Sequence, residues 1–302
     1  MYNGFINLNK PADISSNRAL SILKRALKQN NIITKVGHFG TLDPIADGVL
    51  PVALGRATRL FDYSLDKKKR YIAKFCFGVE TDTLDRTGTI TSYGKDVSVE
   101  EIKKVLPELI GTVEQIPPRF SAKTINGVRA YKLARKGQEF DLSAKTVIID
   151  AIDLVGVDSS SGTIEYVFDI TCGGGTYIRS IVRDMASLMG TVGIMTALTR
   201  TASGFFTIED AHSLEEIADN VENCVLPMDR FLEDFPKIRL DGQHFSLVKN
   251  GVTLQKDSVF SSSEINKICD KNRFFVIFSP EDELLGIAES VNDDFRMKTW
   301  LL

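Results

Sequence analysis

The 302-residue sequence predicts an α+β protein with one large domain and a small β-rich tail. Three features carry that expectation. Ala19, Leu20, Leu23, Ala26 and Leu27 recur at helical spacing behind Ser15 and Ser16, which suit a helix start. Ile164, Tyr166, Phe168 and Ile170 alternate with Thr163, Glu165, Val167 and Asp169, as in a strand. Apolar runs at 274–279 and 284–288 flank Pro280-Glu281-Asp282-Glu283 and read as a hairpin.

The elements follow in order. The helix that follows Ser15 and Ser16 gives way to a Gly- and Pro-punctuated loop over 37–51. A strand with aromatic residues on alternate positions spans 71–79, and a short helix is expected over 99–109. After the strand at 163–172, Gly173-Gly174-Gly175 forms a break, and a helix starts near Thr176 with Ile178, Ile181, Val182, Met185, Leu188 and Met189 on one face. Pro227 and Pro236 bracket a linker, which divides the chain into 1–230 and 236–302.

Composition bounds the function. Hydrophobic residues make up 43% and charged residues 25%, as in a protein with a filled core. The start, M-Y-N-G-F-I-N-L-N-K-P, lacks a signal-peptide pattern, and no apolar run is long enough to span a membrane, so the cytoplasm is the expected location. Cys76, Cys172, Cys224 and Cys269 form no C-x-x-C pair and are expected buried or reduced. His38, His212 and His244 form no metal signature, so no metal site is expected. The net charge of −3 hides local bias. Residues 115–138 contain no Asp or Glu but carry Arg119, Lys123, Arg129, Lys132, Arg135 and Lys136, with helical spacing from Val128 that puts Arg129, Lys132 and Lys136 on one face. Lys67-Lys68-Lys69-Arg70 is a second basic run. Either is a solvated face or a nucleic-acid contact.

Two segments carry candidate chemistry. In G-H-F-G-T-L-D-P, Asp43 precedes Pro44; such an Asp forms turns, but it is one of only two acids between Asn30 and Leu60, the other being Asp47. Glycines at 37, 40 and 48 would let backbone or ligand approach closely, while a lone His38 reads as structural. In C-G-G-G-T-Y-I-R, a strand, a glycine turn and a helix start make an anion site, to which Arg179 adds a fork of donors. A cysteine phosphatase needs five residues between Cys and Arg, and here there are six. Arg179 otherwise pairs with a carboxylate or phosphate from elsewhere, or staples two surface elements. Nucleotide-binding and serine-hydrolase signatures are absent.

In this order the segments resemble the TruB family of pseudouridine synthases along nearly the whole chain. The matching stretches are G-F-I-N-L-N-K-P at 4–11 with Ser15-Ser16-Asn17, the loop 37–51, Lys69-Arg70-Tyr71, T-D-T-L-D within 78–88, the basic segment from Ile116, G-T-Y-I-R at 175–179 and L-T-R-T at 198–201. Asp13 stands where the family usually has Gly, and Phe39 and Asp47 stand where it often has small hydroxyl residues.

The resemblance implies a mixed, largely antiparallel sheet flanked by helices, with a PUA-like RNA-binding tail. It implies isomerisation of uridine to pseudouridine at position 55 in the T loop of tRNA, without cofactor or metal, by a monomer that needs no protein partner and no membrane. Asp43 would be the reacting carboxylate, at C1′ or C6, oriented by Arg179. Tyr71 would lie against the flipped uracil, Tyr177 and Leu198 would line its pocket, and His38 would fill the space that the nucleotide vacates. The cations of 115–138 would hold the RNA backbone. A tRNA-binding protein without chemistry, or a relative that works only within a guide-RNA complex, are the competing readings.

Overall fold

The computed structural model describes residues 2–64, 67–125, 127–160, 162–259, 273–292 and 294–302. The chain opens with β1 (Gly4–Lys10), α1 (Ser16–Gln29), β2 (Val36–His38), β3 (Asp47–Leu54) and β4 (Lys69–Phe77). Short β5 (Val79–Thr81) and β6 (Ile90–Tyr93) precede α2 (Val99–Val105) and β7 (Gly111–Gln115). The basic segment holds β8 (Thr124–Ile125), β9 (Val128–Arg129) and α3 (Ala130–Ala134). Two long strands, β10 (Lys145–Asp158) and β11 (Glu165–Cys172), lead to α4 (Ile178–Leu188), β12 (Gly193–Ser203) and β13 (Phe206–Thr207). Next come α5 (Leu214–Asp219), β14 (Val225–Leu226) and α6 (Met228–Phe231). The tail contains β15 (Lys237–Arg239), α7 (Gly242–Lys249), β16 (Leu254–Gln255), α8 (Lys256–Val259), β17 (Phe274–Phe278), β18 (Leu284–Val291) and β19 (Asp294–Trp300).

Local chemistry sets the boundaries. Ser15 caps α1 by accepting from Arg18 N, and the stripe from Ala19 to Leu27 is buried. The expected helix at 99–109 is α-helical only to Val105; Pro107 lacks an N–H and crowds the carbonyl a turn earlier, so 106–109 tightens into a 3-10 turn. The strand expected at 71–79 breaks at Gly78, whose φ of 89° turns the chain into β5. The loop expected over 37–51 is shorter, because His38 still belongs to β2 and the apolar run of β3 starts at Asp47.

The main sheet runs β14-β1-β3-β12-β4-β11-β10-β7, with β2 also on β3 and β13 on β12. It is mixed and largely antiparallel, as expected; among the described residues its parallel contact is β12 on β3, at Thr199↔Asp47 and Arg200↔Gly48. β12 thus lies between β3 and β4 and carries Leu198 and Arg200 beside the loop that ends at Asp47. One core, including Ile6, Leu8, Phe75, Phe168 and Ile181, joins the sheet to α1, α2, α4 and α5.

A second core forms around Phe5, which contacts Phe39 at 5.5 Å edge-on and stacks on Phe231 at 5.0 Å. Val276, Ile287 and Leu301 of the tail join this core. The tail strands form one sheet, β15-β17-β18-β19-β16, in which the expected hairpin is β17–β18. Tyr63 Oη and Thr299 Oγ1 lie 2.8 Å apart, and Arg59 donates to Trp300 O at 2.6 Å, so the tail is fastened to the body. The stretch between Pro227 and Pro236 is packed rather than a bare tether: Phe231 and Leu232 are buried.

Candidate active site

The loop 39–46 leaves β2 and enters β3, and four groups hold it. Phe39 N donates to Pro51 O at 2.8 Å. Ser16 Oγ accepts from Leu42 N at 2.9 Å and donates to Leu42 O at 3.0 Å. Ala46 N donates to Asp43 O at 3.1 Å, closing the turn. Lys10 is fully buried and directs its Nζ to Pro11 O and Ile14 O, each at 2.7 Å, and to Pro44 O at 3.5 Å. Burial pulls its ammonium down to about 8 against the pull of Asp47, Asp13 and Asp43. The Asp43 side chain is 32% exposed, between the exposed Thr41 and Pro44.

The glycines after β11 bring Arg179 to that carboxylate. Gly175 has φ 85°, which reverses the chain, and Thr176 Oγ1 donates back to Gly173 O at 3.0 Å. Tyr177 starts α4 without a side-chain cap. Its backbone is clasped by the buried Gln115 amide: Tyr177 N donates to Oε1 at 2.8 Å, and Nε2 donates to Tyr177 O at 3.2 Å. Arg179, in the first turn of the helix, is 4% exposed. Its Nε donates to Asp43 Oδ2 at 2.8 Å and its Nη2 to Oδ1 at 2.9 Å, a two-pronged charged pair across 136 residues of sequence.

The rest of the guanidinium is also engaged. Nη1 donates to Thr83 O at 2.9 Å and lies 3.6 Å from Asp85 Oδ2; Nη2 donates to Phe120 O at 3.0 Å. Asp85 is buried and accepts from Thr83 Oγ1 at 2.8 Å, Thr87 N at 2.9 Å and Thr87 Oγ1 at 2.6 Å. The T-D-T-L-D stretch, whose role the sequence left open, is therefore the seat of Arg179. Its turn puts Leu84 at φ 60°, an uncommon conformation for a leucine, held by Leu84 N donating to Thr81 O and Met195 N donating to Leu84 O.

Asp43 and Arg179 face a cleft of about 270 Å³. Its walls come from the loop, from Lys69 and Tyr71 on β4, from Leu198 and Arg200 on β12, from Ser121 and Ala122, and from the start of α4 with Tyr177. The structure thus brings together Asp43, Tyr71, Tyr177, Arg179 and Leu198. Burial raises the phenols of Tyr71 and Tyr177 above the ordinary tyrosine range, so both are neutral hydroxyls at neutral pH. A larger hollow of about 430 Å³, beside Asn7 and His212, holds acids and Arg230 but no buried carboxylate–guanidinium pair.

His38 is not among the cleft-lining residues; it sits on β2 with Nδ1 buried and unpartnered among the described residues. Cys172 is fully buried, and burial pushes its thiol up to about 11, which removes the thiolate that a phosphatase would need. Cys76 and Cys224 are free and buried, as expected, and Cys269 lies outside the described residues.

The basic segment departs from its expected form. Helix α3 covers only Ala130–Ala134, so Arg129 precedes it and Lys136 follows it. Arg119 donates to Gln138 O at 3.1 Å and lies over the Phe140 ring, Lys123 donates to Ser143 O at 3.1 Å, and Arg129 donates to Ala122 O at 2.6 Å. Arg135 lies over Tyr131. Lys132, Arg135 and Lys136 are exposed. The cations remain clustered on one protrusion although they do not share one helix face. No helix of the described residues is long and apolar enough to cross a membrane.

Residues 24–178 match the N-terminal domain of the TruB family of pseudouridylate synthases, and 179–233 match the tRNA pseudouridylate synthase B C-terminal domain. This chain belongs to the TruB family. It is 34% identical to the tRNA pseudouridine synthase B of Clostridium kluyveri over 298 residues, 98% of this chain and 97% of the relative. It is 37% identical to that of Lactobacillus delbrueckii subsp. bulgaricus over 264 residues, 84% of this chain and 87% of the relative. A chain of a Cbf5-Nop10-Gar1 complex superposes with a TM-score of 0.71 at 23% identity, over 99% of this chain and 85% of that one, and shares its fold. As a TruB pseudouridine synthase, the protein is an isomerase.

The departures from the TruB pattern have physical accounts. Asp13 has φ 61°, a conformation natural to Gly and tolerated by Asp. Phe39 is 4% exposed and packs on Phe5, Phe61 and Phe231. Asp47 Oδ1 is buried without a hydrogen bond, and Asp47 is the acid that most favours the charged form of Lys10.

Burial, and then Arg200, lower the His38 pKa below 6.5. As pH falls through 6.5 the unfolded chain takes up this proton before the folded one, so stability present above 6.5 is lost on acidification. Denaturant melts between about pH 7 and about pH 5 should show a steeper loss for wild type than for His38→Gln. Equal slopes would refute a buried neutral imidazole.

Proposed function

We propose that this TruB protein isomerises uridine to pseudouridine in tRNA, at the T-loop position, with Asp43 as the reacting carboxylate and Arg179 as its orienter. One observation carries the reading most: a half-exposed carboxylate at a cleft, gripped from behind by an otherwise buried arginine. The relatives named tRNA pseudouridine synthase B align over nearly the full chain and supply the substrate class. The chain would act on tRNA alone, as a monomer in the cytoplasm.

In the reaction the N1–C1′ bond breaks, a C5–C1′ bond forms, C5 loses a proton and N1 gains one. No electrons are exchanged. A base inside folded RNA offers neither face to a side chain, so the uridine must be flipped out. Asp43 then meets the nucleoside, and a carboxylate adduct divides one hard step into two easier ones. Arg179 fixes both carboxylate oxygens in one plane. Tyr71, buried and neutral on the cleft wall, would rest against the base and help move the C5 proton. Tyr177 and Leu198 close the pocket sides, and His38 fills space that the nucleotide leaves. The cations of 115–138 would meet phosphates. A tRNA-binding protein without chemistry has no use for a carboxylate held in this way.

Asp43→Asn keeps the shape but removes the charge. Pseudouridine formation should fall below detection while tRNA binding persists; substantial turnover by this variant, checked for deamidation, would sink the assignment. Arg179→Lys loses the fork, and its single-turnover rate should fall at least about tenfold, or roughly 1.4 kcal/mol. A wild-type rate in that variant would refute the orienting role.

Replacing Arg129, Lys132 and Lys136 with Gln should weaken tRNA binding and flatten its salt dependence by up to about two or three units of slope. The rate of the bound complex should stay nearly intact. Equilibrium constants measured at several salt concentrations decide this, and unchanged affinity and slope would mark the segment as a solvated surface.

A further inference from the structure

Arg200 is the largest fully buried side chain, 1% exposed, and forms no salt bridge among the described residues. A buried guanidinium without a carboxylate is costly, so what it does hold matters. Its Nε donates to Val49 O at 2.7 Å and its Nη2 donates to Gly40 O at 3.0 Å. These carbonyls stand on either side of Asp43, one before the loop turns and one after β3 has begun.

The backbone accommodates this side chain. Gly40 has φ 93°, and a Cβ there would stand 3.3 Å from Arg200 Nη1. Gly48 has φ 93°, and a Cβ there would stand 2.4 Å from Arg200 O. Both glycines therefore permit a close approach by Arg200. The pairing of β12 with β3 through Thr199 and Arg200 already joins the two strands, so the guanidinium is not needed to hold them together. Ser16 and Lys10 reach the loop from the α1 side, at Leu42 and Pro44; at its ends one backbone bond, Phe39 N to Pro51 O, is joined by the two side-chain bonds of Arg200. Arg200 also pairs with Tyr71 of β4 in register, shares a side-chain hydrogen bond with it and stands with it on the cleft wall.

We propose that Arg200 is a positioning residue for the isomerisation: its fork clamps the two ends of the loop, so that the Asp43 carboxylate meets both Arg179 and the base in one fixed geometry. This rests on Asp43 being the reacting group. Two divergent carbonyls require a planar fork, which a lysine ammonium does not supply. A small misplacement of a reacting group is expensive in rate and cheap in binding.

The test uses the full-length protein and tRNA, with Arg200→Lys and Arg200→Met. Three quantities are read: the single-turnover rate, the tRNA dissociation constant, and hydrogen exchange at 40–49 compared with β4. In Arg200→Lys the rate should fall at least about tenfold with the dissociation constant within about twofold, and exchange should quicken at 40–49 alone. A wild-type rate and exchange pattern in Arg200→Lys overturns the clamp. So does a rate loss matched by lost tRNA binding or by faster exchange throughout, which marks a general structural role. Should both variants fail to fold, Gly40→Ala sets a methyl against Nη1 and should give the same signature; a wild-type rate there overturns the proposal. Exchange does not depend on turnover. If wild-type protein failed to isomerise uridine in tRNA, the proposed function would fall, and exchange at 40–49 would still decide the clamp.

Discussion

The paired contact between Asp43 and Arg179 is the constraint around which the site is built. A guanidinium 4% exposed must find acceptors for its donors, and one partner alone is not enough. Asp43 takes two hydrogen bonds, Thr83 O and Phe120 O take one each, and Asp85 adds a second negative charge at 3.6 Å. These acceptors come from three separate stretches of chain. The loop after β2, the turn after β5 and the root of the basic segment must all converge on the first turn of α4. That requirement accounts for a leucine at positive φ and for an aspartate buried under two threonines.

The sheet order makes the convergence possible. β12 inserts between β3 and β4, and its one parallel contact with β3 lies where the loop ends. Leu198 and Arg200 therefore rise beside the carboxylate, while Tyr71 comes from the neighbouring strand on the other side. The floor also holds Lys10 and Arg200, both fully or almost fully buried, and their acceptors are mostly backbone carbonyls. Cations satisfied by carbonyls keep their charge without bonding to the Asp43 carboxylate, which Lys10 feels only through space. A second acid close to Asp43 would compete with it for Arg179; Asp85 avoids this by taking its hydrogen bonds from threonines and lying farther from the guanidinium.

Much of this was legible in the sequence, for identifiable reasons. α1 and β11 show clean periods of 3.6 and 2, and their boundaries fall within a few residues of the expected ones. Asp43, Arg179, Tyr71, Tyr177 and Leu198 fell in motifs whose order matched the TruB family, and the structure gathers them at one cleft. In the sequence β3 reads as loop, because Gly48 and Pro51 interrupt its apolar run; in the sheet Pro51 needs only its carbonyl, which accepts from Phe39 N. α3 was overextended because basic residues at helical spacing look alike inside and outside a helix, and Gly137 at φ 66° closes the turn after it. Asp85 and Arg200 fall inside matching motifs and Gln115 opens the basic segment, but the sequence assigns none of them a role. Their roles depend on partners tens to hundreds of residues away, which pattern within a window does not record.

The root of the basic segment shows why those distant partners matter. Gln115 clasps the backbone of Tyr177, Ser180 Oγ and Arg183 Nη2 both donate to Ile116 O, and Arg179 Nη2 donates to Phe120 O. The same Nη2 donates to Asp43 Oδ1. A protrusion carrying exposed cations is thus bonded, through six residues of chain, to the helix turn that aims the carboxylate. Any shift of the root that lengthens the Phe120 bond redistributes the donors of Arg179 and so acts on Asp43 directly. The root of the basic segment and the Asp43 carboxylate share one guanidinium, and interactions far from a reacting group affect rate only where such a physical link exists.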